Sequence, residues 1–301
     1  MIDPTDLQST IRTGLLSFPV TPFDDDDAFN PRAFRQHLDW LSGHPIAGLI
    51  VAGGTGEMFS LTPAEIVETV RTARQADPHR PVIAGCGYGT RMACDLAQAI
   101  EAAGGDGILL LPHYLTEAPL DGIADRIRAV CRSTNMAVIV YNRGQARVTT
   151  DMLERLCAEC PNLIGFKDGT GDIDMVRRVT LRMGDRLSYI GGMPTHELFA
   201  QAYRGAGMPT YSSAVFNFVP ETAVEFHRAF STGDDATCER LLTEFYYPFA
   251  KIRDRKAGYA VSAIKAGVRL RGIPAGRMRA PLVDLTGEEE EMLRDLIGNR
   301  K

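Results

Sequence analysis

No apolar stretch in this 301-residue chain approaches the roughly 20 residues that a membrane span requires. The opening residues, MIDPTDLQST, lack the basic and apolar segments of a secretory signal, so a cytoplasmic protein is expected. An excess of positive charge is also missing: 33 Lys and Arg stand against 38 Asp and Glu, a net charge of −5. Nothing there would hold a phosphate backbone, and nucleic acid is excluded as an expected partner. Six cysteines are too few for a disulfide framework. Cys157 and Cys160 form a CxxC pair, but with Leu153 and Leu156 they follow the spacing of the buried stripe of a helix, which points to packing. Lysine is the scarcest charge. Five are present against 28 arginines, and Lys167 is the only one before position 251. With 45% hydrophobic and 24% charged residues, the remainder excludes disorder and coiled coil.

Eight short apolar runs alternate with helical periodicity, at residues 14–20, 47–52, 81–85, 107–111, 137–141, 162–167, 187–191 and 208–212. The segment 63–75 shows the intervening pattern: Thr62, Pro63 and Glu65 supply a capping box and a first-turn proline, and Ile66, Val67, Val70 and Ala73 make an apolar stripe. Strands alternating with helices predict a parallel sheet with right-handed crossovers. The even spacing of roughly 25 to 30 residues favours a closed (β/α)8 TIM barrel over an open doubly wound sheet. Gly85, Gly87 and Gly89 miss the dinucleotide fingerprint by one position, so a tight turn is expected there and no cofactor. Residues 1–218 are expected to form the catalytic barrel. Residues 219–301 are expected to form a C-terminal helical extension packed on it, with helices at 220–231, 236–253, 257–269 and 288–297. The acidic runs 24–27 and 288–291 lack calcium-loop spacing and read as a solvated loop and a helix N-terminus.

Barrel enzymes carry their chemistry at the C-terminal ends of the strands. Lys167 ends the sixth run, where alternation puts Leu163, Gly165 and Lys167 on one face and Ile164 and Phe166 on the other. Arginine keeps its proton, whereas a desolvated lysine can lose it and attack a carbonyl. Three roles stand open for Lys167: Schiff-base nucleophile, ligand for a carboxylate or phosphate, or a lysine that snorkels to solvent or pairs with Asp168. Tyr141 ends the fifth run, suited to shuttling protons or to serving as a rim aromatic. Arg143 follows two residues later and can grip a carboxylate or lie on the surface. After the second run, Gly53-Gly54-Thr55-Gly56-Glu57 can bring backbone amides close to an anion or simply make a tight connection.

Together these residues resemble the class I aldolase and lyase superfamily of dihydrodipicolinate synthase and N-acetylneuraminate lyase. The resemblance runs from Leu15 to Pro220 through PVTPF at 19–23, GGTGE at 53–57, Tyr141-Asn142 and GFKDG at 165–169. It implies a barrel with C-terminal helices, Lys167 as the Schiff-base lysine and Tyr141 as the acid/base. It also implies a 2-oxo acid carboxylate bound at Gly54 and Thr55, and a homotetramer. Longer strings, GGTGEMFSLTPAE, PHYLTEAP, VYNRGQARVT, GFKDGTGD and TYSSAVFNFVP, resemble most closely the superfamily's decarboxylating branch, the 5-dehydro-4-deoxyglucarate dehydratases. That branch removes water and carbon dioxide from a 2-oxo sugar diacid in sugar acid catabolism. Gly54 departs from the synthases, whose threonine there joins a proton relay with Tyr141 and a partner-subunit tyrosine matched by Tyr114. Met58, Gln145 and Ala146 also differ. Because Ala146 replaces the synthases' arginine, either Arg143 or Arg147 is left for the distal carboxylate. Ser212, Ser213, Asn217 and Arg143 are candidates for the departing hydroxyl and that carboxylate, with strand capping as the serines' ordinary role. The alternatives are a pyruvate-dependent aldolase or synthase of the same superfamily and a non-catalytic 2-oxo acid binder. A metal-dependent lyase finds no support, since the six histidines are scattered and only His113 falls near a strand end.

Overall fold

The computed structural model describes residues 1–113, 117–298 and 300. Eight parallel strands close on themselves as a (β/α)8 barrel in sequence order, because β1 (Leu16–Ser17) pairs with both β2 (Gly48–Val51) and β8 (Thr210–Ser213). Between them run β3 (Val82–Cys86), β4 (Gly107–Leu110), β5 (Ala137–Asn142), β6 (Leu163–Asp168) and β7 (Ser188–Gly191). All eight expected runs supply a strand. The first is much shorter than 14–20 because Pro19 has no amide hydrogen to extend the ladder, and the amide of Val20 donates instead to the side chain of Asn217. Between β5 and β6 the register shifts at Val138 and Ile139, after which Tyr141 lies beside Lys167 and Asn142 beside Asp168.

The helix Pro63–Ala76 carries the expected capping box, with Thr62 and Glu65 bonded reciprocally. A helix that sequence reading did not anticipate, Pro4–Ile11, plugs the N-terminal end of the barrel. Its Leu7 and Ile11 are fully buried, and Ser188 Oγ donates to the carbonyl of Gln8. Cys157 lies on the helix Thr150–Glu159, but Cys160 caps that helix rather than sharing its stripe. Both thiols are buried, as the packing expectation requires.

After β8 the chain is helical: Pro220–Thr232, Asp235–Leu241, Tyr247–Arg253, Tyr259–Leu270 and Gly287–Ile297. The single helix expected at 236–253 is interrupted by a π turn, Leu242–Tyr246. These helices share a second core rich in aromatics, including Phe218, Phe226, Phe230, Phe245 and Phe249. Glu289, within the acidic run, is buried and accepts the Tyr259 hydroxyl at 2.7 Å, so that run is only partly solvated. No helix among the described residues is long and apolar enough to cross a membrane.

One buried ion pair joins this extension to the loop after β2. Lys265 Nζ donates to Glu57 Oε1 and to the carbonyl of Arg277, each at 2.8 Å, and lies 3.9 Å from the centre of the Phe23 ring. Both charged side chains are fully shielded from solvent. Removing one member leaves the other charge buried without a partner. Lys265→Met is therefore expected to cost about 3 to 5 kcal/mol, read as a lower urea midpoint. The double variant Glu57→Gln/Lys265→Met should regain part of that loss; a double variant less stable than the single would refute the account.

Candidate active site

A cavity of about 360 Å³ opens at the C-terminal mouth of the barrel. Among the described residues that line it, Lys167 and Arg143 are the only charged side chains. The alternation of β6 aims Lys167 inward, where it is 3% exposed, and its Nζ donates to Ser212 Oγ at 2.5 Å. The ammonium lies 4.1 Å from the centre of the Phe18 ring and 5.2 Å from that of Tyr141. The third of the open roles is thereby removed in both its forms. Lys167 does not reach solvent, and Asp168 is turned away, accepting Asn142 Nδ2 at 2.7 Å and Tyr203 Oη at 2.6 Å. Burial pushes the Lys167 amine well below the ordinary lysine range, and the nearby Arg143 charge adds to the effect.

Tyr141 Oη donates to the carbonyl of Gly192 at 2.8 Å and accepts from Arg143 Nη1 at 3.0 Å. Burial raises its pKa, Arg143 opposes that rise, and Asp168 adds to it. The hydroxyl therefore stays protonated and able both to give and to take a proton. Close packing enforces this arrangement. A Cβ at Gly192 would lie 2.7 Å from Lys167 Cε and 2.9 Å from Tyr141 Cε2, and one at Gly169 would lie 2.8 Å from Tyr141 Oη. Sequence reading missed Gly192; the available signal was the glycine pair closing β7.

In the loop after β2, a Cβ at Gly53 would meet the Phe18 ring at 2.3 Å, so glycine is required there. Gly54 differs: its Cβ would meet nothing within 4 Å and would point into open space. Glycine at 54 therefore leaves room in the cavity that a larger side chain would occupy. Ala52 and Glu57, on either side of the loop, hold left-handed φ values of 48° and 57°, and Thr195 across the cavity holds 49°. Such backbone is costly and gathers where a fixed geometry is needed.

The structure brings together Lys167, Tyr141, Arg143, Gly54, Thr55 and Ser212 along one cavity. It does not bring Ser213 or Asn217 there. Alternation along β8 sends Ser213 outward, where it donates to Glu197 Oε1 at 2.6 Å. Asn217 is fully buried and clamps the backbone: Oδ1 accepts from Val20 N, and Nδ2 donates to the carbonyls of Phe18 and Ala214. Of the two arginines left open, Arg143 lines the cavity, while Arg147 is not among the lining residues and its Nε donates to the carbonyl of Gly144. Tyr114 lies outside the described residues. His113 is not the only histidine near a strand end. His196 sits in the turn after β7, where its Nδ1 accepts from Met193 N, and burial together with Lys167 pushes it down to about 3, leaving it neutral.

The family described as "Dihydrodipicolinate synthetase family" matches residues 12–300. Proteins named "Probable 5-dehydro-4-deoxyglucarate dehydratase" share 57% identity over 296 residues in Cereibacter sphaeroides and in Rhizobium meliloti, covering 98% of both chains in each case. One of the same name from Xanthobacter autotrophicus is 55% identical over 300 residues, covering 100% of both. Among solved structures, dihydrodipicolinate synthase from Bacillus clausii superposes with a TM-score of 0.88 at 25% identity, over 97% of this chain and 98% of that one. The synthase from Oceanobacillus iheyensis gives 0.87 at 21% identity, over 97% of each, which shows the fold alone.

The electrostatics of the cavity can be read directly from amine reactivity. Only the neutral amine reacts in reductive methylation with formaldehyde and cyanoborohydride. Measured peptide by peptide, Lys167 should reach its full labelling rate at a lower pH than the exposed Lys251. Because the Arg143 cation favours loss of the Lys167 proton, Arg143→Ala should move the Lys167 curve to higher pH. A Lys167 curve that coincides with that of Lys251 would contradict the burial account.

Proposed function

This chain belongs to the dihydrodipicolinate synthetase family, and from that membership we propose that it is a decarboxylating dehydratase. Its reaction converts 5-dehydro-4-deoxyglucarate to 2,5-dioxopentanoate, carbon dioxide and water through a Schiff base on Lys167. The observation that carries the reading is the cavity itself. A desolvated amine beside a tyrosine hydroxyl faces a space whose only charged side chains, among the described residues, are cationic, as a dicarboxylate with a ketone requires. The names of the relatives, at 55–57% identity over nearly the whole chain, supply the substrate.

In this mechanism neutral Lys167 attacks the C5 ketone, and Tyr141 carries protons to and from the carbinolamine oxygen as water leaves. The backbone around Gly54 and Thr55 receives the carboxylate next to the ketone, and Arg143 the distal one. Tyr141 takes the C4 proton as the iminium nitrogen accepts the electrons of that bond, and the resulting enamine expels the C3 hydroxyl, which leaves as water with the proton Tyr141 returns, Ser212 beside it. Conjugation now extends from the iminium through C3, so the bond between C2 and the C1 carboxylate breaks into the same sink and carbon dioxide leaves. Protonation at C4, tautomerisation of the C2 enol to the aldehyde and hydrolysis of the imine release product and restore the amine. Atoms balance without a cofactor. A homotetramer, common in the family, is the assembly that accompanies this reading.

The test is to incubate the protein with 5-dehydro-4-deoxyglucarate, reduce with borohydride, and map the modified peptide and its added mass. An adduct on Lys167 with the reduced skeleton less water, or less water and carbon dioxide, is expected, and Lys167→Ala should abolish both adduct and turnover. Tyr141→Phe should lower kcat by about 10²- to 10⁴-fold. An adduct of pyruvate mass would move the protein to the aldolases, and product without an adduct would remove the Schiff base.

A further inference from the structure

Lys167 and Tyr141 each depend on a partner from a different segment. Ser212, on β8, accepts from Lys167 Nζ, and the carbonyl of Gly192, just after β7, accepts from Tyr141 Oη. The ladder between β7 and β8 does not hold these partners together, because its pairs are Ile190 with Thr210 and Gly191 with Tyr211, and it stops there. Beyond that point Ser212 and Ser213 are paired only with β1, through Leu16 and Ser17. Something else must fix the tip of β8 against the segment 192–195.

A hydrogen bond outside the cavity does so. Ser213 Oγ donates to Glu197 Oε1 at 2.6 Å, and both residues are at most 1% exposed. Glu197 lies in the turn His196–Phe199, which is stitched to the cavity wall by Met193 N donating to His196 Nδ1 and by Leu198 N donating to the carbonyl of Thr195. The connections form a closed circuit. It runs from Lys167 through Ser212 and Ser213 to Glu197, and from there through Thr195 and Met193 to Gly192 and Tyr141. We propose that Glu197, which does not touch the cavity, is a positioning residue for the reaction: its bond to Ser213 sets the spacing between the amine of Lys167 and the hydroxyl of Tyr141.

The chemistry of the surroundings agrees with a dedicated role. A fully buried carboxyl is a costly choice where an apolar side chain would pack. Its second oxygen, Oε2, has no partner among the described residues. Burial pushes its pKa up to about 7, against the smaller opposing effects of Ser213 and Arg253. Either protonation state retains an oxygen to accept the Ser213 proton, so the brace holds on both sides of neutrality. The inference rests on the Schiff-base reading, since it assigns the brace to that amine and that hydroxyl.

Five proteins test it: the wild type, Ser213→Ala, Glu197→Ala, the double variant Glu197→Ala/Ser213→Ala and Glu197→Gln. Each is measured for the rate at which pyruvate and borohydride modify Lys167, read by peptide mass, and for kcat and KM on 5-dehydro-4-deoxyglucarate. Loss of one buried hydrogen bond predicts that both alanine variants trap pyruvate about tenfold more slowly and lose kcat by a similar factor, with KM within about twofold. The double variant should be no worse than either single, because both remove the same bond. Glutamine, which keeps an accepting oxygen, should recover most of the loss. Ser213→Ala deletes a single hydroxyl, so it keeps the test decisive if Glu197→Ala does not fold. Trapping within twofold of wild type in Ser213→Ala, an effect confined to KM, or a glutamine variant as defective as alanine would overturn the proposal. A wild-type protein that turns over 5-dehydro-4-deoxyglucarate in the presence of borohydride with no adduct on Lys167 would remove the Schiff-base reading, and the brace's purpose with it.

Discussion

The rest of this structure depends on keeping one ammonium out of water without giving it a carboxylate. Desolvating such a group costs several kcal/mol even after the protein relaxes, and a buried charge ordinarily recovers this from an opposite charge. Lys167 has instead a serine hydroxyl, the faces of Phe18 and Tyr141, and the repulsion of Arg143. Each favours or tolerates the neutral amine. The strand supplies the placement, since inward alternation on β6 leaves the side chain almost wholly buried at the floor of the cavity while Asp168, one residue on, is engaged on the opposite face. A site of this kind tolerates little drift, because an amine that reached water or found a carboxylate would regain its proton.

Three structural features oppose that drift. Gly192 and Gly169 let the backbone pass so near Lys167 and Tyr141 that a single added carbon would displace them. The left-handed residues Ala52, Glu57 and Thr195 hold the facing loops in conformations that only a firmly packed surround sustains. The C-terminal helices provide that surround. Lys265 and Arg279 grip the loop after β2 and the following helix through Glu57 and Glu65, and Ala260 and Val261 complete the cavity wall. The extension is therefore part of how the mouth of the barrel is built.

The barrel and the chemistry-bearing strand ends were legible because both depend on local periodicity: alternation places Lys167, Tyr141 and Ser212, and a capping box starts Pro63–Ala76. What was not legible depends on long-range partners. Nothing local in PTDLQSTI says that Leu7 and Ile11 will plug the barrel, because their burial comes from strands far along the chain. Ser213 and Asn217 looked equivalent to Ser212 in sequence, yet one residue of alternation turns Ser213 to Glu197, and Asn217 is taken up by the backbone of β1's continuation. Glu57 and Lys265 are 208 residues apart, and the acidic run containing Glu289 hides one carboxylate that is buried against Tyr259. Charge in a sequence marks a solvated face until a distant partner claims it.

The proposed substrate imposes a last electrostatic condition. A dicarboxylate entering the cavity brings negative charge toward Lys167, and negative charge favours the protonated amine, the wrong form for attack. If both carboxylates acted on the lysine alone, binding would undo the desolvation that prepared it. The arrangement separates the two tasks. Arg143, which cannot give up its proton, is available to neutralise one carboxylate, and the backbone around Gly54 and Thr55 can receive the other through dipoles rather than a formal charge. Lys167 can then remain the group that titrates. On this reading the bias of the chain toward arginine and the single lysine at the barrel mouth express the same requirement: one cation that must keep its proton, and one that must be able to lose it.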